Sequence, residues 1–351
     1  MEKKKYLMDI VLIRLVLIGL LILYHSLCIY TGAWDVPYEP FESNAVYDWI
    51  GSFSHNFRLE AMVFISGSLL GYKLLRKPES LTFNICVIKK VKRILFPCVI
   101  FGCIYYAMFY DTTASFPTIL LKIINGCGHL WFLPMIFWCF VFTYIILKLT
   151  PPDKLNNNNI YSKLFIAIFL LFTIYNPFGF MPFGFGTVCS FMLYFFWGCL
   201  LRLGYMKMPE SNNRNICIAI GLFAFMFLVY MFLRQIVAMD FMHKAIKVLG
   251  MNICHLVMCV SAIFMMSGIA NKPKVIAYLT SKPQLITLSG YCYGVYIYQQ
   301  FILKFLYYKT GFPLVVDELV LPWVAFIITL ALSLLFCWLT LKTRFGRYLI
   351  G

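Results

Sequence analysis

The chain has 351 residues, of which 62% are hydrophobic and 13% charged, and its formal net charge is +16. A soluble domain is about 45–50% apolar and about 25% charged, so this composition, with a mean hydropathy of +0.82, excludes a soluble protein and indicates an integral membrane one. The positive charge therefore reads as orientation in a membrane, not as nucleic-acid binding.

Ten apolar stretches qualify as spans in an all-α polytopic architecture: 7–30, 57–75, 93–110, 129–149, 160–177, 186–204, 215–234, 247–270, 285–309 and 318–341. The loops between them are short, so residues 1–351 read as one membrane domain with no soluble part. MEKKK resembles the charged start of a signal peptide. The apolar run after it is too long, and no small-residue cleavage site follows. Most Lys and Arg residues fall on the side that holds Lys3, Lys4 and Lys5. The positive-inside rule then puts both termini in the cytoplasm.

The first stretch is apolar yet carries Arg14 and His25. An ionisable group inside a span is costly and marks a functional site by default. Eleven residues make almost three helical turns, so both lie on one face, roughly 16 Å apart along the axis. The loop that follows is acidic and aromatic, with Asp35, Glu39, Glu42, Asp48, Trp34 and Trp49. It reads either as a solvated extracytoplasmic loop or as one that meets a polar acceptor, with the tryptophans as interface anchors.

The second stretch opens with His55, Asn56, Phe57, Arg58, Leu59 and Glu60. Arg58 suits an interfacial snorkelling position, whereas Glu60 lies inside the apolar run. Ser66-Gly67 is a small-residue pair suited to close helix packing. The next inner segment, with Lys89, Lys90, Lys92 and Arg93, either anchors the membrane orientation or binds phosphate. His129, in Gly128-His129-Leu130-Trp131, opens the fourth stretch at the outer surface. Residues 176–186 are rich in Gly, Pro and Phe, and Asn156 to Asn159 form a polar turn. Asn252, His255, Gln299 and Gln300 read as inter-helix hydrogen-bonding groups, and His243 as part of an outer loop. The 13 cysteines are scattered with no Cys-x-x-Cys pair and no His/Cys cluster, which reads as small buried hydrophobes and no metal site.

Together the histidines map to the outer side and the positive charge to the inner side. That arrangement suits moving a group across a membrane. No Ser-His-Asp order, HExxH, P-loop or GxGxxG is present.

Several segments, in order along nearly the whole chain, resemble the bacterial membrane acyltransferase-3 family. Arg14 and His25 match its Arg-x10-His first span. HNFRLEAMVFISG (His55 to Gly67) resembles its second span, in a form associated with glucan-modifying members. IKKVKRILFP (Ile88 to Pro97) resembles its basic inner loop, and HLWFLP (His129 to Pro134) its entry to the fourth span. LYFFWGCLL (Leu193 to Leu201) and SGYCYGVYIYQQ (Ser289 to Gln300) are similar to two later segments.

The resemblance implies an O-acyltransferase of the bacterial inner membrane. Its donor would be acetyl-CoA or another acyl-CoA bound from the cytoplasm, and its acceptor a hydroxyl of an extracytoplasmic glycan. The implied catalytic residues are His25, Arg14 and Glu60, and the implied donor contacts are Lys89, Lys90, Arg93 and Arg14. Arg58, His55, His129, Trp131 and Gln299 fall on the implied acceptor side, and no metal is expected. Lys90 stands where the family more often has Arg, and a Lys gives up the bidentate grip on phosphate. Gln299 stands where the family often has His. A glutamine can hydrogen-bond but cannot shuttle a proton. The rival reading is a secondary transporter in which Arg14 and His25 relay a proton or substrate, although no paired broken-helix halves are evident.

Overall fold

The computed structural model describes residues 7–42, 44–110, 113–150, 160–179 and 181–351, which are helical with irregular connections and contain no strand. Lys3, Lys4, Lys5 and the polar turn at 156–159 lie outside the described residues. The helices are α1 (Met8–Leu27), α2 (Ala45–Arg76), α3 (Phe96–Phe109), α4 (Phe116–Asn125), α5 (Phe132–Leu149), α6 (Ile160–Ile174) and α7 (Val188–Leu203). They continue as α8 (Asn213–Gln235), α9 (Phe241–Ala270), α10 (Pro273–Ser281), α11 (Pro283–Tyr308), α12 (Phe312–Val315), α13 (Leu321–Lys342) and α14 (Arg344–Ile350). A helix satisfies every backbone donor and acceptor within itself, which is what a segment in hydrocarbon requires.

Each of the ten stretches expected from the sequence overlaps one of these helices. Among the described residues, seven helical segments are both long and apolar enough to cross a membrane. Of the other three, α6 is apolar but short.

Two boundaries differ from the sequence reading. α2 begins at Ala45, about three turns before the expected span, because Asn44 caps it: its Oδ1 accepts from Val46 N at 2.9 Å. Much of the expected outer loop is thus helix. Likewise His243 lies in the first turn of α9 and not in a loop. Asp240 caps that helix by accepting from His243 N at 2.8 Å, and it pairs with the His243 ring at 2.9 Å. The amphipathic α4 and the short α10 occupy connections that apolar-run reading passes over.

The chain divides into two compact units: residues 1–58, 104–112 and 270–351, and residues 59–103 and 113–269. In the first unit, α1 packs on α11 and α13. Gly294 of α11 lies so near α13 that a Cβ there would meet Cys337 Sγ at 2.6 Å. The core beneath the loop after α1 comprises Leu27, Ile29, Tyr30, Tyr47, Leu303, Tyr307, Leu321 and Ala325. In the second unit, the part of α2 after Leu59 packs on α7 through small residues. A Cβ on Gly67 would run into the Phe195 carbonyl, and one on Gly198 into the Phe64 carbonyl. The small-residue pair at Ser66-Gly67 is therefore a packing device, as the sequence indicates. Asn252 also behaves as expected, donating to the Ile174 carbonyl at 2.8 Å.

Candidate active site

His25 sits near the C-terminal end of α1, 7% exposed. Its Nδ1 lies 2.9 Å from Gln299 Oε1 on α11. With the amide oxygen toward the ring, Nδ1 carries the proton and donates, and Nε2 is the nitrogen with base character. Gln299 is fully buried, and its own Nε2 has no hydrogen-bond partner among the described residues. A buried amide donor without a partner is uncommon and is costly to leave unmade. Beside it, Gln300 Oε1 accepts from Tyr105 OH at 2.9 Å.

The indole of Trp34 stacks on the His25 ring, with centroids 5.8 Å apart and planes 11° from parallel. A folded-back loop holds it there. Trp34 N donates to the Cys28 carbonyl at 3.1 Å, closing the turn after α1. Tyr30 OH donates to the Glu318 carbonyl and Tyr47 OH to the Leu319 carbonyl. Tyr38 OH donates to the Glu318 carboxylate at 2.6 Å, and that acceptor pushes the Tyr38 phenol up to about 12. Lys304 Nζ lies 5.3 Å from the Trp34 ring centroid, within cation–π range, and 5.8–5.9 Å from the rings of Tyr308 and Tyr105.

Tyr24 also neighbours the His25 ring, with centroids 5.3 Å apart, and its face carries the Arg58 guanidinium at 3.8 Å. Arg58 is 2% exposed and donates to the Ser54 carbonyl at 3.2 Å, with His55 Nδ1 at 3.3 Å. The His55 ring stacks on Tyr24 at 4.9 Å. Arg58 is therefore buried among aromatic rings and not a snorkelling surface cation as its position in sequence suggests. Arg14 lies on the same helix as His25, and its charge reaches Cys292 of α11.

In the second unit, the basic segment has an unusual backbone. Asn84–Ile88 and Val91–Leu95 are two π-helical turns, with Lys89 and Lys90 between them. Such wide turns are rare and recur at functional sites. Lys89 and Arg93 are exposed, whereas Lys90 is half-buried with its Nζ 3.7 Å from the centre of the Phe140 ring. Arg93 and Lys73 of α2 are cationic neighbours of Lys90, so several cations gather there. A phosphate-bearing ligand would relieve their mutual repulsion.

An acyltransferase-3 family model, described as an acyltransferase domain, matches residues 9–342. The chain belongs to the acyltransferase-3 family. This makes it a membrane acyltransferase, and the match covers every residue expected at the site. No curated protein and no solved structure matches the chain.

The acyltransferase gathers His25, Arg14, Arg58, His55 and Gln299 in its first unit, and Glu60, Lys89, Lys90, Arg93, His129 and Trp131 in its second. His129 is buried, 5% exposed, within the tight turn Gly128–Trp131. The left-handed backbone of Gly126 makes that turn, because a Cβ there would collide with the Leu130 and Trp131 backbone. Trp131 packs on Phe191 at 6.1 Å. The imidazole that Glu60 meets is His255, with Oε1 3.4 Å from Nε2.

Sequence reasoning missed Trp34 as a neighbour of His25, and missed Tyr24, Tyr105 and Lys304 altogether. Trp34 carried only the signal of an interfacial aromatic, because its position depends on where the loop folds.

Proposed function

We propose that this membrane acyltransferase moves an acyl group, acetyl in the simplest case, from cytoplasmic acyl-CoA to a hydroxyl of an extracytoplasmic glycan. The observation that carries the reading is the buried His25–Gln299 pair on the helix that also bears Arg14. His25 Nε2 takes the proton of the acceptor hydroxyl as its oxygen attacks the thioester carbonyl. The tetrahedral intermediate collapses and breaks the carbon–sulfur bond. The CoA thiolate leaves with the proton that His25 held. Gln299 Oε1 keeps the Nδ1 proton in place throughout, and its Nε2 is a donor for the oxyanion or for the acceptor.

In the second unit Lys89, Lys90 and Arg93 receive the phosphates of the donor. Trp34, stacked on His25, offers a flat apolar face of the kind on which a sugar ring packs. Within the first unit, Arg58 and His55 hold Tyr24 beside His25. Glu60, expected to act beside an imidazole, stands 3.4 Å from that of His255.

The test is label transfer by purified protein from radiolabelled acetyl-CoA to a glycan extract. Removing a general base costs about 10²–10⁴-fold in rate, and His25→Ala is expected to show that loss. Equal labelling by wild type and His25→Ala refutes the mechanism.

A further inference from the structure

His255 and Cys259 are four residues apart on α9, so both point from one face of that helix. Glu60 of α2 meets them in the same unit. His255 Nε2 is 3.4 Å from Glu60 Oε1 and 3.6 Å from Cys259 Sγ, and all three potential ligand atoms lie within 4.8 Å of one another.

The Cys259 contact has the length of a sulfur hydrogen bond, but the Glu60 contact is long for a hydrogen-bonded relay. A charge-assisted N–H···O bond is about 2.7–2.9 Å long. Moreover, both partners face the same ring nitrogen, which carries at most one proton. A Cys-His-Glu triad needs the thiol at one imidazole nitrogen and the carboxylate at the other.

The distances do suit the edges of a tetrahedron around a metal. Zinc–nitrogen and zinc–oxygen bonds of about 2.1 Å and a zinc–sulfur bond of about 2.3 Å give edges of about 3.4 Å (N to O) and about 3.6 Å (N to S). Closing the Glu60–Cys259 edge to the same length needs an adjustment of about 1 Å at most.

Charge points the same way. A carboxylate within an apolar segment is costly. A dication with one carboxylate and one thiolate makes a centre with no net charge. Cys259 is fully buried and Glu60 nearly so, whereas the His255 side chain is 29% exposed.

We propose that Glu60, His255 and Cys259 form a binding site for a zinc-class divalent metal ion that ties α2 to α9. On binding, the Cys259 S–H bond breaks, its proton passes to solvent, and a metal–sulfur bond forms. His255 binds through neutral Nε2 and Glu60 as carboxylate. Three protein ligands leave the fourth corner to water.

The experiment is a Co²⁺ titration of the full-length protein, purified in detergent and stripped of metal. Wild type is expected to bind one tight equivalent and to develop a thiolate-to-cobalt charge-transfer band. Cys259→Ser is expected to abolish the band. His255→Ala and Glu60→Gln are expected to weaken binding by about 100-fold or more, at least the loss that outer-shell changes bring. No band in wild type, or an undiminished band in Cys259→Ser, overturns the proposal. A second measurement needs no variant. X-ray absorption of the zinc-loaded wild type is expected to show one sulfur neighbour at about 2.3 Å among nitrogen and oxygen neighbours. A first shell of nitrogen and oxygen alone overturns it.

Discussion

Gln299 is a neutral partner for a buried histidine, and that choice has a consequence. The amide oxygen orients the ring without taking its proton, so its removal costs orientation and not charge. Gln299→Leu deletes one buried hydrogen bond, worth about 1 kcal/mol or somewhat more. It is expected to lower kcat about tenfold while the KM for acyl-CoA stays put, as steady-state kinetics will show. A rise in donor KM with unchanged kcat would place Gln299 in donor binding instead. The basic residues are expected to behave in the opposite way. Arg93→Ala removes charged hydrogen bonds worth about 1.5–3 kcal/mol to a phosphate and is expected to raise the KM for acyl-CoA about 10–100-fold. High salt should weaken donor binding in wild type more than in Arg93→Ala. At this scale the sequence was informative about Arg14 and His25, because a charge in an apolar run stands out. It was silent about Trp34, Lys304 and the metal-like group, because stacking and ligand convergence depend on where distant segments meet. His255 and Cys259 sit at helical i,i+4 spacing within apolar α9, where that pattern is indistinguishable from core packing.

At the level of elements, α2 is the helix whose fit is easiest to break. Gly67 and Gly198 let α2 and α7 approach until backbone meets backbone, so an added methyl has no flexible neighbour to displace. Gly67→Ala is expected to destabilise the protein by about 1–3 kcal/mol, read as a lower Tm in detergent. An unchanged Tm would mean that the helices do not pack this closely. The loop after α1 is a second such element, tied down by tyrosine hydroxyls on backbone carbonyls. Tyr47→Phe removes one tie, to Leu319, and leaves Trp323 Nε1 without its acceptor at Tyr47 OH. It is expected to lower acceptor kcat/KM through a looser Trp34, with the donor KM unchanged. A matching effect on the donor would contradict the separation of roles. The existence of the long helices was legible, since apolar runs of span length leave the backbone little choice, whereas α4 and α10, which lie in connections, were not. Boundaries were not, because Asn44 and Asp240 start their helices upstream of the apolar run, and hydropathy does not see a cap. Nor did any sequence signal mark the two π-helical turns around Lys89 and Lys90.

For the whole molecule, the sequence carries an all-helical membrane acyltransferase in its composition and its ordered family segments, and the family match covers residues 9–342. The central claim is a sided reaction, with donor charge handled at one end of α1 and base chemistry at the other. Sealed inside-out vesicles test it most directly. Radiolabelled acetyl-CoA is supplied outside, glycan extract is enclosed within, and wild type is compared with His25→Ala and Arg14→Ala. Label on the enclosed glycan with wild type, and on neither variant, is the predicted result. Enclosed glycan labelled equally by all three proteins, or labelled only when acetyl-CoA is enclosed with it, would contradict the account.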